Sequence, residues 1–355
     1  MQRFVITKQE AGWRFDKYLK KLLPQAASGF LYKMLRKKNI TLNGKKAAGN
    51  EVVAAGDAVE LFFSEETFLK FSGKLPGQSH GEQAESEAEA VWGERTEEDA
   101  CRLYRRAFCV LKNISVVYED DDILVLNKPA GVLSQKAKRD DVSLNEWMIG
   151  YLLEKGAMTE ESLSRFRPSV CNRLDRNTSG LVLGGKSVRG SQFLSEILKD
   201  RSLHKYYVTC VQGRIEREIA LDGYLKKEEK KNRSVIIGTD DYRRLVLAEP
   251  DAGKEYKRIE TVIKPLVYLR ERDCTKLEIL LVTGKSHQIR AHLAGTGHPV
   301  LGDKKYGWRP AGKEDMRWKH QLLHACRVVF PETVGEFAYL SGKCLTASEP
   351  EWWKI

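Results

Sequence analysis

The segment from Val170 to Leu183 constrains what this chain can fold into more than any other stretch. It reads V-C-N-R-L-D-R-N-T-S-G-L-V-L and places one carboxylate, Asp175, between Arg173 and Arg176. The N-T-S-G turn precedes an apolar run typical of a buried strand. We expect the loop to hold Asp175 at the edge of a cleft, where the neighbouring guanidinium groups keep it ionised. On this segment alone, a structural ion pair is the alternative reading.

Length and composition favour a soluble protein of two or three domains. The chain has 355 residues, of which 31% are charged. It has no apolar run long enough to span a membrane, and its N-terminus lacks the apolar core of a signal peptide. The seven cysteines are widely spaced without a C-x-x-C pair, and no H-E-x-x-H motif occurs. We therefore expect free thiols, a cytoplasmic location, no membrane contact and no metal.

The positive charge is unevenly distributed along the chain. Residues 1–63 contain 12 Lys and Arg against 5 Asp and Glu, a net charge of +7, whereas residues 64–99 contain 3 against 10, a net charge of −7. Because the whole chain carries +11, the other residues also carry +11. Two basic regions joined by an acidic one favour a polyanionic partner contacted at two places, and nucleic acid is the partner we expect.

Residues 1–63, here called the front module, are predicted to form a compact α/β unit. The spacing of apolar residues predicts one helix after Phe15 and a second from near Ser28. A short strand at 40–42 then reaches Asn43-Gly44, a strong signal for a type I′ hairpin turn.

Three motifs give the front module a resemblance to the S4 RNA-binding domain. They are R-F-D-K-Y-L at 14–19, L-R-K-K-N-I-T-L-N-G-K at 35–45 and G-D-x-V-E-L at 56–61. The resemblance implies that the second helix and the following hairpin lie against RNA backbone, although a solvated helix face would also explain the charge. The residues expected to contact RNA here are Arg36, Lys37, Lys38, Lys45 and Lys46.

The rest of the chain divides into a linker and a larger, strand-rich domain. Residues 64–110 are predicted to be an acidic, flexible linker because Gly, Ser, Gln, Glu and Ala dominate much of it, although residues 101–113 could form a short helix. Residues 111–355 are predicted to form the larger domain. Its expected strands lie at 116–119, 123–127, 205–211, 233–238, 258–268 and 275–283, and its expected helices at 187–198 and 286–294, the last capped by Gly295.

Four motifs in this larger domain accompany Asp175. They are V-Y-E-D-D-D-I-L-V-L-N-K-P-A-G at 117–131, H-K-Y-Y-V-T-C-V-Q-G at 204–213, the segment T-G-K-S-H-Q-I-R-A-H-L that opens 283–303, and L-H-A-C-R-V-V-F-P at 323–331. Together with R-L-D they resemble the RluA-type family of RNA pseudouridine synthases over about residues 114–331. With the S4-like front module, the chain most resembles the RluC/RluD-like branch, which acts on large-subunit (23S) ribosomal RNA.

The resemblance implies a fold, a reaction and three site residues. The fold is α+β, with a mixed, mainly antiparallel sheet in two halves and the active site between them. Asp175 would attack a flipped-out uridine, whose base detaches from its sugar, rotates and re-attaches through carbon. Tyr207 would lie against the base, and Arg290 would pair with the carboxylate. Isomerisation needs no cofactor. The family often has His where this chain has Asn172, to which we assign no catalytic role.

Further RNA contacts and rival functions stay open at this point. Additional RNA contacts are expected at Lys128, Arg173, Arg176 and Lys205. The histidines at 287, 292, 298 and 324 are expected to be structural hydrogen-bonding groups. The rivals are a synthase acting on transfer RNA, a catalytically inactive RNA-binding protein, and a glycoside hydrolase, which would need a second acid that the sequence does not identify. A monomer is the default expectation.

Overall fold

Two β-sheets organise the chain, a small one in the front module and a large one behind it. The computed structural model describes residues 1–72, 97–138, 140–228, 232–310 and 312–354. The strands are β1 (Gln2–Val5), β2 (Ile40–Leu42), β3 (Lys45–Lys46), β4 (Ala58–Leu61), β5 (Ser115–Glu119), β6 (Ile123–Lys128), β7 (Ser169–Val170), β8 (Ser179–Gly185), β9 (His204–Gln212), β10 (Ile219–Glu228), β11 (Arg233–Ile237), β12 (Lys257–Leu269), β13 (Cys274–Leu281), β14 (Leu323–Val329) and β15 (Cys344–Thr346).

Ten α-helices accompany these strands in the described residues. They are α1 (Phe15–Leu22), α2 (Ser28–Arg36), α3 (Glu65–Ser72), α4 (Glu97–Val110), α5 (Leu144–Glu154), α6 (Glu160–Arg165), α7 (Val188–Lys199), α8 (Thr239–Ala248), α9 (Pro250–Gly253) and α10 (Gln288–Gly295). Within the described ranges, none of them is long and apolar enough to cross a bilayer.

The front module forms as the sequence predicts. Helices α1 and α2 begin at Phe15 and Ser28, and they pack their apolar faces on a sheet of order β1-β4-β2-β3. Asn43 and Gly44 join β2 to β3 with φ values of 52° and 70°, as a type I′ turn requires. The predicted hairpin is therefore confirmed, and Arg36 of α2 and Lys46 of β3 line the same surface pocket.

The ends of the predicted linker at 64–110 are helical. Helix α3 packs Phe68 and Phe71 against the core of the front module, with the Phe30 and Phe71 ring centroids 4.5 Å apart. Helix α4 packs on α5 and buries Tyr104. The prediction of a flexible linker is therefore wrong at 65–72, because Phe68 and Phe71 pack on the core of the front module. At the other end, α4 is the short helix that the sequence allows at 101–113, although it begins earlier, at Glu97. Its middle, 73–96, lies outside the described residues.

The large sheet consists of two halves that meet at one parallel strand pair. Its main path runs β11-β10-β12-β13-β9-β14-β8-β6-β5, with β15 beside β14 and β7 beside β8. All its pairs in the described residues are antiparallel except β14 with β8. Gly180 lies at this junction, where an added Cβ would come within 2.2 Å of the Ala325 carbonyl oxygen. The predicted mixed, mainly antiparallel sheet is confirmed.

The front module lies directly against the larger domain. Arg165 of α6 forms a buried ion pair with Glu10, with 3.1 Å between Nε and Oε1. The Val188 amide at the start of α7 donates a hydrogen bond of 3.0 Å to the Gln9 carbonyl, and Trp13 packs against the main core. These contacts hold the basic surface of the module in a defined orientation relative to the large sheet.

Candidate active site

A cleft of about 740 Å³ lies where the two halves of the large sheet meet. Its walls come from the loop before β8, the start of β9, the segment before α10 and the loop after Leu133. Asp175 is the one carboxylate among its lining residues. Seven lysines and arginines also line it: Lys136, Arg173, Lys199, Arg201, Lys205, Lys285 and Arg290. Such a cleft attracts a polyanion while presenting a single acidic group.

Asp175 lies half-buried in this cleft, on the loop that joins β7 to β8. Its Oδ2 accepts a hydrogen bond of 2.9 Å from Nη1 of Arg290. The adjacent arginines do not pair with it: Arg176 donates from Nε to the Gly131 carbonyl at 3.0 Å, and Arg173 is exposed at the rim. The expectation that sequence neighbours supply the partner charge is wrong, because the loop turns both arginines away from the carboxylate.

Arg290 is held from two sides on the first turn of α10. Its Nε and Nη2 form a two-pronged ion pair with the Asp303 carboxylate, at 2.6 and 2.9 Å. Its guanidinium also lies 5.0 Å from the ring centroid of Tyr306. Burial lowers the pKa of Arg290, but the carboxylates of Asp303 and Asp175 outweigh burial and raise it above the ordinary value. The Arg290 guanidinium is therefore fixed and permanently charged, and its Nη1 is left to donate to Asp175.

Tyr207 faces the cleft from β9 and is 6% exposed. Burial, followed by the charge of Asp175, raises the pKa of its phenol well above the ordinary value. The side chain is therefore a neutral aromatic surface beside the carboxylate, of the kind on which an unstacked base can lie.

His287 and Tyr306 form a second layer behind Asp175. The Nδ1 atom of His287 lies 3.0 Å from the Tyr306 hydroxyl, and its Nε2 lies 3.8 Å from Oδ2 of Asp175. The Ser234 amide donates a hydrogen bond of 2.8 Å to the same hydroxyl. His287 adopts a left-handed backbone (φ 58°), a strained conformation that often marks functional sites.

Lys128 does not reach the RNA-facing surface. Its side chain is 0% exposed, and its ammonium donates to the carbonyls of Pro129, Val132 and Arg176 at 3.0, 2.8 and 3.1 Å. This geometry contradicts the expected phosphate contact, because all three protons of the ammonium are directed at backbone oxygens. Lys128 instead ties the turn after β6 to the loop that carries Asp175.

The other residues expected to contact RNA fall into three groups. Lys205 and Arg173 line the cleft. The five cations of the front module are all exposed, and within the described ranges none is ion-paired to a carboxylate: Arg36, Lys37, Lys38, Lys45 and Lys46. Arg176 is exposed, but its guanidinium is tied to the Gly131 carbonyl. The first two sets are free to meet a polyanion.

Sequence reasoning missed Asp303, His287 and Tyr306 as parts of the site. All three lie within or just after the motif at 283–303, so proximity in sequence was the available signal. The Asn172 side chain accepts a hydrogen bond of 2.7 Å from the Leu183 amide, which holds the loop to β8. The histidines at 287, 292, 298 and 324 each have a hydrogen-bonding partner through Nδ1.

Comparisons with known proteins point to one family. The RNA pseudouridylate synthase family model matches residues 122–295. An uncharacterised RNA pseudouridine synthase of Mycoplasma pneumoniae is 29% identical over 334 residues, covering 93% of this chain and 88% of that protein. Ribosomal large subunit pseudouridine synthase C of Rickettsia prowazekii is 29% identical over 323 residues, covering 91% and 90%. Ribosomal large subunit pseudouridine synthase D of Xanthomonas campestris is 26% identical over 361 residues, covering 99% and 89%.

A solved structure shares the fold at lower sequence identity. Human RNA pseudouridylate synthase domain containing 4 superposes with a TM-score of 0.51 at 16% identity, covering 73% of this chain and 95% of the human chain. The similarity establishes a common architecture for the domain that contains the cleft.

Proposed function

We propose that this chain is an RluA-type RNA pseudouridine synthase and that it converts specific uridines of 23S ribosomal RNA to pseudouridine, because it is similar to RNA pseudouridine synthases over most of its length. The observation that carries the site assignment is the Asp175–Arg290 pair inside a cleft lined by cations. A carboxylate fixed in this way is a nucleophile that needs no activating base.

Asp175, Tyr207 and Arg290 divide the chemistry between them in this proposal. Because the N-glycosidic bond of a paired uridine is inaccessible, the nucleotide must leave its helix, and Tyr207 offers a face that replaces the lost stacking. Asp175 then forms a transient bond to the nucleotide and the N1–C1′ bond breaks. After the base rotates, the C5–C1′ bond forms and the bond to Asp175 is released. The C5 proton is lost and N1 gains one, so atoms and charge balance without a second substrate. Arg290 keeps the carboxylate oriented throughout.

The choice of large-subunit RNA rests on the relatives and on the front module. Two of the compared proteins are named for the ribosomal large subunit. We infer that the front module is an S4-type RNA-binding domain, because its exposed α2 and β2–β3 hairpin carry five cations without carboxylate partners in the described residues. Ribosomal RNA as substrate also favours a cytoplasmic location.

Pseudouridine mapping of total RNA from cells with and without this protein tests the proposal. The readout is carbodiimide adduct formation followed by primer extension. We expect one or more stops to vanish from large-subunit ribosomal RNA and to return with a plasmid copy, but not with an Asp175→Asn copy. Loss of stops in transfer RNA alone would overturn the substrate assignment and keep the reaction.

A further inference from the structure

Lys205 is an unpaired, almost fully buried cation in the wall of the cleft. It is 9% exposed, and within the described part of the chain its ammonium has no hydrogen bond or ion pair. The contrast with Lys128 is direct, since Lys128 is also buried but saturates its three protons with carbonyls. A buried charge without a partner is costly unless a ligand supplies the missing counter-charge.

Two further cations lie beside Lys205 at the junction of α7 and β9. Lys199 ends the helix, and Arg201 follows in a left-handed backbone conformation (φ 69°). Both line the same cleft and are exposed, and the described residues offer neither of them a carboxylate. Burial, followed by the charge of Arg201, lowers the pKa of the Lys205 ammonium. An anion between these side chains would offset both the burial of the Lys205 ammonium and its repulsion by Arg201.

The position of this cluster relative to Tyr207 fixes where the anion would sit. Lys205 and Tyr207 are two residues apart on β9, so their side chains project from the same face of the strand, about 6–7 Å apart along it. Both are buried and both line the cleft. A nucleotide whose base lies against Tyr207 would therefore bring one of its own flanking phosphates to Lys205.

We propose that Lys205, Arg201 and Lys199 form a phosphate-binding subsite for the phosphodiester adjacent to the flipped uridine. This inference rests on the proposed function and adds to it a defined contact at the reacting nucleotide. The subsite differs from the exposed cations of the front module, because a buried lysine binds one phosphate at a fixed position. It gives the enzyme a means of holding the extruded nucleotide without reading its sequence.

A coupling experiment with neutral phosphate analogues tests the subsite. The RNA is a short hairpin that contains the mapped uridine, with a single methylphosphonate linkage placed either immediately 5′ or 3′ of that uridine or several nucleotides away. Binding is measured for the full-length wild-type protein, for Lys205→Met and for Arg201→Asn. Asn tolerates the left-handed backbone at 201, so this exposed substitution keeps the fold if Lys205→Met proves unstable in thermal melting.

On unmodified hairpin, Lys205→Met is expected to weaken binding about tenfold and to lower the salt dependence by about one ion, with a smaller effect for Arg201→Asn. On the hairpin with the relevant flanking linkage neutralised, the same substitutions should change affinity less than about twofold. Lys264→Met, which removes an exposed charge from β12, is the matched control and should lose less than about twofold on every RNA.

The subsite is supported if the substitution loses its effect on affinity when one of the two flanking linkages is neutral. If the affinity losses from the substitution and from the neutral linkage add at every position, the subsite is overturned. If the substitution loses its effect only with a distant neutral linkage, its placement beside the uridine is overturned. The result is separable from the proposed function, because a wild-type protein that binds the hairpin but forms no pseudouridine in it would contradict the function and leave the coupling measurement intact.

Discussion

The cleft and the front module use positive charge in opposite ways. In the cleft, Arg290 is 6% exposed and its donors are divided between Asp303 and Asp175. In the front module, Lys37 and Lys45 are exposed, and the described residues offer them no carboxylate. The paired Arg290 holds the Asp175 carboxylate in one geometry. The exposed lysines attract a polyanion but do not fix the position of any group.

This difference predicts different kinetic signatures for the two regions. Removing a paired, buried charge disturbs the position of the reacting group and the stability of the fold, so the turnover number should fall. Removing an exposed cation lowers RNA affinity and its dependence on salt, so turnover at saturating RNA should be preserved.

Asp175→Asn should give the largest effect. Because the amide is not a nucleophile, we expect turnover to fall by more than ~10³-fold, while RNA affinity changes little. Single-turnover pseudouridine formation and filter binding on the same preparation measure the two quantities. Turnover that survives the substitution would remove Asp175 from the reaction.

Asp303→Asn should lower both turnover and stability. The substitution leaves the buried Arg290 with one of its two carboxylates neutralised, which we expect to cost about 3 kcal/mol of unfolding free energy. Urea unfolding measures this, and single-turnover assays measure the accompanying loss of rate. The control is Glu278→Gln, which breaks the more exposed Arg327–Glu278 pair (2.7 Å) and should cost under about 1 kcal/mol. Equal losses of unfolding free energy and of rate for the two variants would show that Asp303 does not hold Arg290 in place.

Lys37→Gln and Lys45→Gln should affect binding but not chemistry. If each lysine meets one phosphate, each substitution lowers the slope of log affinity against log salt by about 0.7–0.9. Turnover at saturating RNA should match that of the wild type. Lys70→Gln, an exposed substitution on α3 that is not among the five expected RNA contacts, should leave the slope unchanged. Point substitutions are preferable to deletion of 1–63, because Glu10 and Trp13 contact the larger domain.

The smallest effect at neutral pH concerns His324, at the junction of the sheet halves. Burial lowers its pKa to about 4 from 6.5, and its Nδ1 contacts Ser179 Oγ at 2.8 Å. Between pH 6.5 and 4 the unfolded chain binds a proton that the folded chain does not, so stability is complete above 6.5 and decreases as pH falls, by up to about 1.4 kcal/mol per pH unit. His324→Gln should flatten this dependence in urea unfolding. His204→Gln, at an exposed position, should leave it unchanged.

The sequence predicts which residues meet in the cleft because their motifs are local. Asp175, Tyr207 and Arg290 each lie in a short segment that identifies the residue without any knowledge of its neighbours. All three line the same cleft. The helices and strands around them follow from apolar periodicity, as at α7, where Ser187 caps the predicted helix by accepting a hydrogen bond from the Gly190 amide.

The resemblance predicts the Asp175–Arg290 pair, which the structure shows at 2.9 Å, whereas the local sequence alone favours Arg173 and Arg176 as partners. Contacts outside the motifs could not be predicted, because the fold decides them. Lys128 opens a K-P-A-G turn typical of the surface, but three carbonyls brought together by the fold enclose it. Helix α5 escaped detection because it is buried on almost every side and shows no amphipathic period.

The decisive experiment is pseudouridine formation by the purified protein on unmodified large-subunit ribosomal RNA, with wild type and Asp175→Asn compared side by side. We expect the wild type to modify discrete uridines, at the positions lost in cells without the protein, and Asp175→Asn to modify none while still binding the RNA. Binding without modification by the wild-type protein would contradict the proposed function.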